Sequence, residues 1–496
     1  MPVIYDHKKI WPRSLLFFIC CIFATMGWFF ARGIPPMQSP DEPQHIARAY
    51  MLSQGELMLH QVPEKMSGGF VDGALLNFIN LYSRLAGQPN EKITFEEQAS
   101  IGGEKWQNTK EKSFFEVPGT GYYLPLVYMP HALGLRIGEF LGWSIEDSYQ
   151  LSRFSVLLSC FALLAWAFTL QKPPHLVVAL LWLPMSVFQF LMPTLDGFTT
   201  SLAFLSISLF LWMWRQQVIP PTWASATLAL CLLLVTTSRL HLLPMLFLAF
   251  MVFWRWRQKR DLWLCLILIS LAVSWIIYAL TSTIDGRVHR THGTGELVRQ
   301  YVLAPWEFFA ILSHTLTQSD LLAFYGRSMI GILGWLDAPL RDYFYPWIAS
   351  LIIACMFVSI TSITSAPARL MKQVQQIFLV TAIFSILLIF FALLVTWTPH
   401  PATTVEGVQG RYFTVPALLL AYSLGGDWPP SRLRRWFSRG TLGALICLCM
   451  YALVLGLQDR YCTTPMQYTP LNSFRLISQL DPLKSCPHSV AVSKLP

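Results

Sequence analysis

Repeated long apolar runs constrain the fold of this chain more than any other feature of its sequence. A helix needs roughly 20 apolar residues to cross the hydrocarbon core of a bilayer. The chain is 54% hydrophobic and only 13% charged, whereas a soluble domain carries about 25% charged residues. We therefore predict an all-α polytopic membrane protein with about 11 transmembrane helices. The runs lie near residues 14–31, 151–170, 176–193, 197–214, 222–237, 240–254, 262–281, 345–363, 376–396, 412–425 and 441–458.

The distribution of charge predicts how these helices are oriented. The first run follows a basic flank that includes Lys8, Lys9 and Arg13, and no clean small-residue cleavage site follows it, so we expect an uncleaved span with a cytoplasmic N-terminus. The loop 32–150 holds 14 Asp and Glu residues against 9 Lys and Arg residues, which favours the outer side. The net charge of +9 is spread over short loops, so nucleic acid is not an expected partner.

This layout divides the chain into six segments. Two apolar stretches interrupted by charges, Gly121–Trp143 and Tyr301–Trp335, do not fit it as spans. We interpret the first as an interfacial helix on the outer leaflet and the second as interfacial or a hairpin. The segments are the N-terminus with the first span at 1–31, the external loop at 32–150, spans at 151–281, an external or interfacial loop at 282–344, spans at 345–458 and an external tail at 459–496.

Two of the ten cysteines lie in the polar C-terminal tail, and eight lie in apolar runs. The eight are expected to be small core residues. Cys462 and Cys486 can form a disulfide if the tail is outside the cell, where disulfides persist.

The stretch from Ser39 to His45, with the sequence Ser-Pro-Asp-Glu-Pro-Gln-His, is the first candidate site. Ser39 and Glu42 have the spacing of a capping box, and Pro40 would occupy the first helical position. The predicted helix runs to about Gln54 and stops at Gly55.

Three polar side chains share one face of that helix, because Asp41, His45 and Arg48 stand at i, i+4 and i+7. This face would offer a carboxylate, an imidazole and a guanidinium. A charged group at the edge of a membrane is costly and therefore marks a functional candidate. The alternative is that Asp41 and Glu42 only complement the helix dipole.

Two further candidates lie at the ends of later spans. Asp196 stands in a turn between spans, where it could serve chemistry or cap the helix that follows. Gln409, Gly410, Arg411 and Tyr412 stand at the outer end of another span. There Arg411 could snorkel or bind a phosphate through its forked donors, and Gly410 would let a ligand approach the backbone.

Arg239 and His241, at a junction between spans, form a similar but weaker candidate for binding a substrate. The sequence shows no Walker loop, no HExxH motif and no GxSxG motif. ATP hydrolysis, zinc proteolysis and serine hydrolysis are therefore not indicated.

Three segments together resemble a family of largely uncharacterised bacterial multi-span membrane proteins, which is itself similar to the GT-C glycosyltransferases. They are Ser39–Tyr50, the Pro193–Gly197 turn, and Gln409–Phe413. The resemblance implies transfer of a sugar from a polyprenyl-phosphate donor to a glycan or lipid acceptor. The reaction would take place at the outer face of the bacterial inner membrane, in the assembly of surface polysaccharide or glycoconjugates.

The resemblance also implies roles for single residues. Asp41 would be the catalytic base, with Glu42 as a less favoured candidate, and Asp196 would match a second acid in these enzymes. Arg411 would bind the donor phosphate. A divalent cation, Mg²⁺ or Mn²⁺, stays possible, because some branches of these enzymes use one and others do not.

Two other functions stay open on the residues alone. A transporter or flippase of lipid-linked sugars could use the same cations to hold a phosphate, although internal repeats are not evident. A structural or assembly protein would use the acids only as helix caps.

Overall fold

A computed structural model describes residues 21–91, 101–107, 112–288, 293–360, 368–425 and 432–461, with 22, 29 and 102 left out. The described chain is mainly helical and has two small antiparallel sheets. The described residues of the first predicted span, 21, 23–28, 30 and 31, are helical.

The segment that follows the first predicted span folds around a hydrophobic core of its own, which includes Tyr50 and Phe78. Its helices pack beside a two-stranded antiparallel sheet in which Gly68 pairs with Glu116. The elements are α1 (Glu42–Ser53), β1 (Gly68–Val71), α2 (Gly73–Ser83), β2 (Ser113–Glu116), two 3₁₀ turns (Pro118–Tyr122 and Pro125–Tyr128) and α3 (Met129–Phe140).

The next part of the chain is a bundle of apolar helices. The predicted span at 176–193 is two short helices, and Pro184 stands in the first turn of the second, since proline favours a new helix start over continuation of the old one. The elements are α4 (Ile145–Leu170), α5 (His175–Leu181), α6 (Pro184–Leu191), α7 (Leu195–Arg215), α8 (Thr222–Ser238), a 3₁₀ turn (Leu240–Met245), α9 (Leu246–Trp256) and α10 (Lys259–Ser282).

The last part has three short helices followed by four more, of which three are longer and one, Thr414–Leu424, is short. The elements are α11 (Thr294–Leu303), α12 (Pro305–Thr317), α13 (Ser319–Gly331), β3 (Ile332–Leu333), β4 (Ala338–Pro339), α14 (Phe344–Ile360), α15 (Ala368–Thr396), a 3₁₀ turn (Gly410–Phe413), α16 (Thr414–Leu424) and α17 (Arg432–Tyr461).

Five helices in the described chain are long and apolar enough to cross a membrane: α4, α7, α10, and most of α15 and α17. A helical membrane protein is therefore supported, but 11 spans are not. Apolar helices such as α8 and α14 have only 17 residues, short of the length a straight crossing needs. In α7, 94% of the apolar window is buried, against 22% in α10, so α7 is the central helix and α10 lies at the periphery.

The two ambiguous stretches of the sequence form only short helices. Gly121–Trp143 divides into 3₁₀ turns and the 12-residue α3, and α12 and α13 each have 13 residues. On the exposed face of α3, Leu133 and Phe140 are 56% and 84% accessible, which suits a helix that lies along a membrane surface. The tail with Cys462 and Cys486 lies outside the described residues.

Candidate functional site

Four charged side chains from distant parts of the chain meet at one end of the bundle. Asp41 precedes α1, Asp196 lies in the first turn of α7, Arg239 follows α8, and Arg411 lies in the 3₁₀ turn before α16. We call these four residues the ion network. Its two carboxylates and two guanidiniums balance in charge.

Arg411 joins the two acids. Its Nη2 lies 3.4 Å from Asp41 Oδ2 and its Nη1 lies 3.2 Å from Asp196 Oδ2. The second contact is an ion pair rather than a well-aligned hydrogen bond, because Asp196 Oδ2 has no hydrogen-bond partner among the described residues. The Arg411 side chain is only 4% exposed, whereas that of Asp41 is 46% exposed. Burial alone would lower the pKa of Arg411, but Tyr412, Asp196 and Asp41 raise that pKa above its ordinary value.

Arg239 holds the other side of Asp196. Its Nη2 donates a hydrogen bond to Asp196 Oδ1, and its Nη1 donates to the hydroxyl of Tyr123 at 3.1 Å. The guanidinium also lies over the Tyr123 ring, 5.4 Å from the centroid, in a cation–π arrangement. Asp196 therefore orients both guanidiniums, and it makes no side-chain cap at the start of α7.

Asp41 has an unusual backbone conformation for an aspartate that precedes a helix. Its φ of 65° is in the left-handed region, which few residues other than glycine adopt, although aspartate tolerates it better than most. Its carboxylate makes no cap hydrogen bond and lies near Arg411 instead. Strained residues of this kind cluster at functional sites.

The capping box expected from the sequence forms only in part. The helix starts at Glu42, so Pro43, not Pro40, occupies its first turn. The Glu42 carboxylate accepts a hydrogen bond from the Ser39 backbone N–H at 2.9 Å, but Ser39 Oγ has no partner in the part of the chain that is described. At the other end the helix stops at Gly55 as predicted, with φ of 89°.

Glu42 is fully buried and does not face the ion network. Its Oε1 also accepts hydrogen bonds from the Met37 backbone N–H at 3.0 Å and from the Tyr149 hydroxyl. Burial raises the pKa of Glu42, and Arg153 and these hydrogen bonds oppose that rise. With both oxygens engaged, Glu42 fixes the turn from Met37 to Asp41 and leaves no room for a reacting hydroxyl.

The two other candidate residues of α1, His45 and Arg48, are buried and make different contacts. The His45 Nδ1 lies 2.8 Å from the Tyr128 hydroxyl, and burial lowers the pKa of His45 to about 4, so the imidazole is neutral at physiological pH. Arg48 does not reach the ion network, because its guanidinium donates to the backbone carbonyls of Glu56 and Leu57. It secures the chain that leaves the helix.

Gly410 permits close packing inside the protein rather than the approach of a ligand. A Cβ at this position would lie 2.0 Å from the backbone nitrogen of Met329 in α13, and the Gly410 N–H donates to Ser328 Oγ at 2.9 Å. The carbonyl of Gln409 accepts a bond from the N–H of Tyr412 at 3.1 Å. These contacts place Arg411 on a fixed turn.

A cleft opens beside the ion network. It encloses about 430 Å³ of space outside the protein atoms, part of which is open to solvent. Asp196, Arg239 and Arg411 line it together with His241 and Tyr412, whose rings lie 6.1 Å apart. The remaining lining is mostly small polar and apolar side chains of α6, α7 and α16: Ser186, Gln189, Phe190, Thr199, Thr200, Leu242, Thr414 and Val415.

The site offers acids and cations but no obvious metal centre. Among the described residues, no group of three or more His, Cys, Asp or Glu side chains could hold a metal ion. Each aspartate of the ion network is paired with an arginine.

The sequence analysis did not identify three residues that form the site or stabilise it: Tyr123, Tyr149 and Arg153. Tyr123 contacts Arg239, and Arg153 interacts electrostatically with Glu42. The signal for Arg153 was a charge placed inside the first turns of an apolar span, where ionisable residues are rare.

The chain matches one known protein family over most of its length. Residues 22–421 match the family described as "Predicted membrane protein (DUF2142)". No curated protein matches the sequence.

Proposed function

The chain belongs to the DUF2142 family of predicted membrane proteins, and from the geometry of its ion network we propose that it is a membrane glycosyltransferase. The donor would be a sugar linked to a polyprenyl phosphate, and the acceptor a glycan or lipid hydroxyl. The reaction would take place at the outer face of the inner membrane, in surface polysaccharide or glycoconjugate assembly.

The observation that carries this proposal is the position of Arg411 between two aspartates of different exposure. The Asp196 side chain is 13% exposed and contacts both Arg239 and Arg411. The Asp41 side chain is 46% exposed and contacts only Arg411, at 3.4 Å. A base must be able to reach a substrate proton. Asp41 therefore fits the base, and Asp196 fits a positioning residue that aims the two guanidiniums.

The chemical step balances with these groups. The acceptor oxygen attacks the anomeric carbon, and its proton passes to the Asp41 carboxylate. The bond between the anomeric carbon and the phosphate oxygen breaks, and its electron pair leaves with the lipid phosphate. That phosphate gains one negative charge, which Arg411 and Arg239 would stabilise as it develops.

Substitution of Asp41 by asparagine tests the proposal. Because Asp41 is half-exposed and makes no cap, Asp41→Asn should fold and insert normally but lose transfer, so that the labelled sugar stays on the polyprenyl-phosphate donor. The matched control is Asp459→Asn, an aspartate 41% exposed and paired with Arg341, which should transfer normally. Undiminished transfer by the Asp41 variant would exclude Asp41 as the base.

A transporter of lipid-linked sugars is the second candidate, and one observation favours it. The cleft is lined by Gln189 and Phe190 of α6, which begins where the preceding helix α5 breaks off, and transporters often bind substrates at broken helices. Purified protein in vesicles that moves labelled polyprenyl-phosphate sugar across the bilayer, without releasing the sugar from the lipid, would support this function over transfer.

A further inference from the structure

A second group of polar and aromatic side chains lies beside the ion network. Arg287 donates two parallel hydrogen bonds to Asp285, from Nε at 2.9 Å and from Nη2 at 2.7 Å. The guanidinium carbon lies 5.3 Å from the centre of the Trp397 ring. Arg287 and Asp285 follow α10, and Trp397 follows α15, so two distant loops form the group.

Two adjacent tyrosines connect this group to the ion network. The hydroxyl of Tyr122 donates to Asp285 at 3.4 Å, while the hydroxyl of Tyr123 accepts from Arg239. The indole N–H of Trp275 holds the Tyr122 carbonyl at 3.1 Å. Arg287 also interacts electrostatically with Asp41 and Tyr123, so the charges of the two groups are coupled.

Trp397 makes contacts that a tryptophan at a membrane interface does not require. Its position directly after α15 suits such an anchor, but its ring is covered by Arg287 and abutted by Gly407. At Gly407 φ is 75°, and a Cβ would lie 2.3 Å from the ring. The residue still remains 40% exposed. The two loops thus fix the orientation of the indole and leave part of its surface accessible.

We propose that Trp397, Arg287 and Asp285 form a subsite for a carbohydrate acceptor. The apolar face of a sugar ring packs against an aromatic face, and its hydroxyls can accept hydrogen bonds from a guanidinium and donate them to a carboxylate. A sugar held there would present a neighbouring hydroxyl towards Asp41. This inference rests on the proposed function and narrows its acceptor to a glycan.

The test measures acceptor and donor kinetics separately. Purified protein in nanodiscs receives a polyprenyl-phosphate hexose with a labelled sugar and a panel of mono- to trisaccharide acceptors. Trp397→Ala should raise the KM for the acceptor about three- to tenfold, in line with the loss of one aromatic contact, and leave the KM for the donor unchanged. Trp397→Phe, which keeps an aromatic ring, should recover much of the acceptor affinity.

The control is Trp347→Ala, a tryptophan of α14 that is 65% exposed and lies outside the proposed subsite. It should leave both KM values at the wild-type level. Wild-type transfer with the same acceptor KM in Trp397→Ala would overturn the subsite alone. Wild-type protein that releases no polyprenyl phosphate from any donor would instead overturn the proposed function.

Discussion

Replacement of Glu42 by glutamine would test whether a buried carboxylate holds Asp41 in place. Both oxygens of Glu42 accept hydrogen bonds, from the Met37 N–H and the Tyr149 hydroxyl at one oxygen and from the Ser39 N–H at the other. A glutamine offers only one oxygen. If that oxygen keeps the first pair of bonds, the amide NH₂ faces the Ser39 N–H, and two donors oppose each other.

The expected loss of stability follows from this geometry. One hydrogen bond to a charged group, worth roughly 1.5–3 kcal/mol, is lost, and a buried N–H is left unsatisfied. A glutamine is easier to bury than a carboxylate, which offsets part of this loss. We expect Glu42→Gln to lower the free energy of unfolding by about 2 kcal/mol.

Glu42→Gln should also lower the activity of the molecules that fold. The turn that Glu42 secures contains two non-glycine residues with positive φ, Met37 at 61° and Asp41 at 65°. Without its hydrogen bonds this turn can relax by roughly 1–2 kcal/mol per residue, and the Asp41 carboxylate then leaves its position. We expect kcat to fall about tenfold or more in the folded variant, with a nearly unchanged KM for the donor.

A matched variant separates positioning from simple destabilisation. Asp72 is buried and accepts hydrogen bonds from the N–H groups of Ala74 and Gln107, in the same segment but outside the ion network. Asp72→Asn should lose a similar amount of stability, measured by thermal unfolding in detergent, and keep its kcat. Wild-type kcat in a destabilised Glu42→Gln variant would refute the positioning role, and so would an equal loss of kcat in Asp72→Asn.

Three more perturbations probe the site. Arg411→Lys should lower kcat/KM about a hundredfold, because an ammonium group cannot replace a forked guanidinium that bridges two carboxylates. The surface variant Arg341→Lys should have wild-type kinetics. Equal losses in the two variants would contradict the role of Arg411 in binding the donor phosphate. Gly410→Ala should destabilise the protein by about 1–3 kcal/mol or more through a backbone clash, while Gly443→Ala, where a Cβ meets nothing within 4 Å, should not lower the melting temperature. Burial lowers the pKa of His45 from 6.5 to about 4, so the unfolded chain binds a proton that the folded chain does not. His45 alone should lower stability as pH drops below about 6.5, by about 2 kcal/mol at pH 5, and His45→Gln should reduce the loss of stability on acidification by that amount in thermal unfolding; an unchanged slope would refute it.

The sequence identified the segments that form the candidate site, because each carries charged residues where a membrane protein rarely has them. Charges at the ends of apolar runs singled out Asp41, Asp196 and Arg411, and the predicted layout put them on one side of the membrane. The structure brings these three together, although Asp41 and Arg411 are 370 positions apart. The end of the first helix was also predicted correctly, at Gly55, although the helix begins at Glu42 and not at Pro40.

The distinction between Asp41 and Glu42 could not be read from helical periodicity. Adjacent residues at a helix start differ by about 100° in direction, but which one faces the protein depends on partners far away in the chain. Glu42 turns inward to Tyr149, 107 positions later, and Asp41 turns towards Arg411. For the same reason periodicity alone assigned Arg48 to the face of Asp41, whereas its guanidinium bonds to local backbone carbonyls.

The count of spans exceeded what the structure supports because hydrophobicity does not distinguish a long helix from a broken one. The run at 176–193 is apolar throughout but contains Pro184 at a helix start. The break leaves α6 ending against the start of α7, where Asp196 lies. A continuous span there would not place Gln189 and Phe190 beside the cleft.

The ion network is hard to explain as a device for stability. A buried ion pair often stabilises a protein no more than well-packed apolar residues of the same size, because both charges lose their hydration. Here Asp196 and Arg411 are largely buried, Asp196 begins the most buried span of the described chain, and Asp41 carries a strained backbone. Helix capping requires neither buried charges nor a strained backbone, and Asp41 and Asp196 form no side-chain cap. Several unfavourable features within one ion network are expected where a protein binds or transforms a charged substrate, and a phosphate is the ligand that two forked guanidiniums fit best.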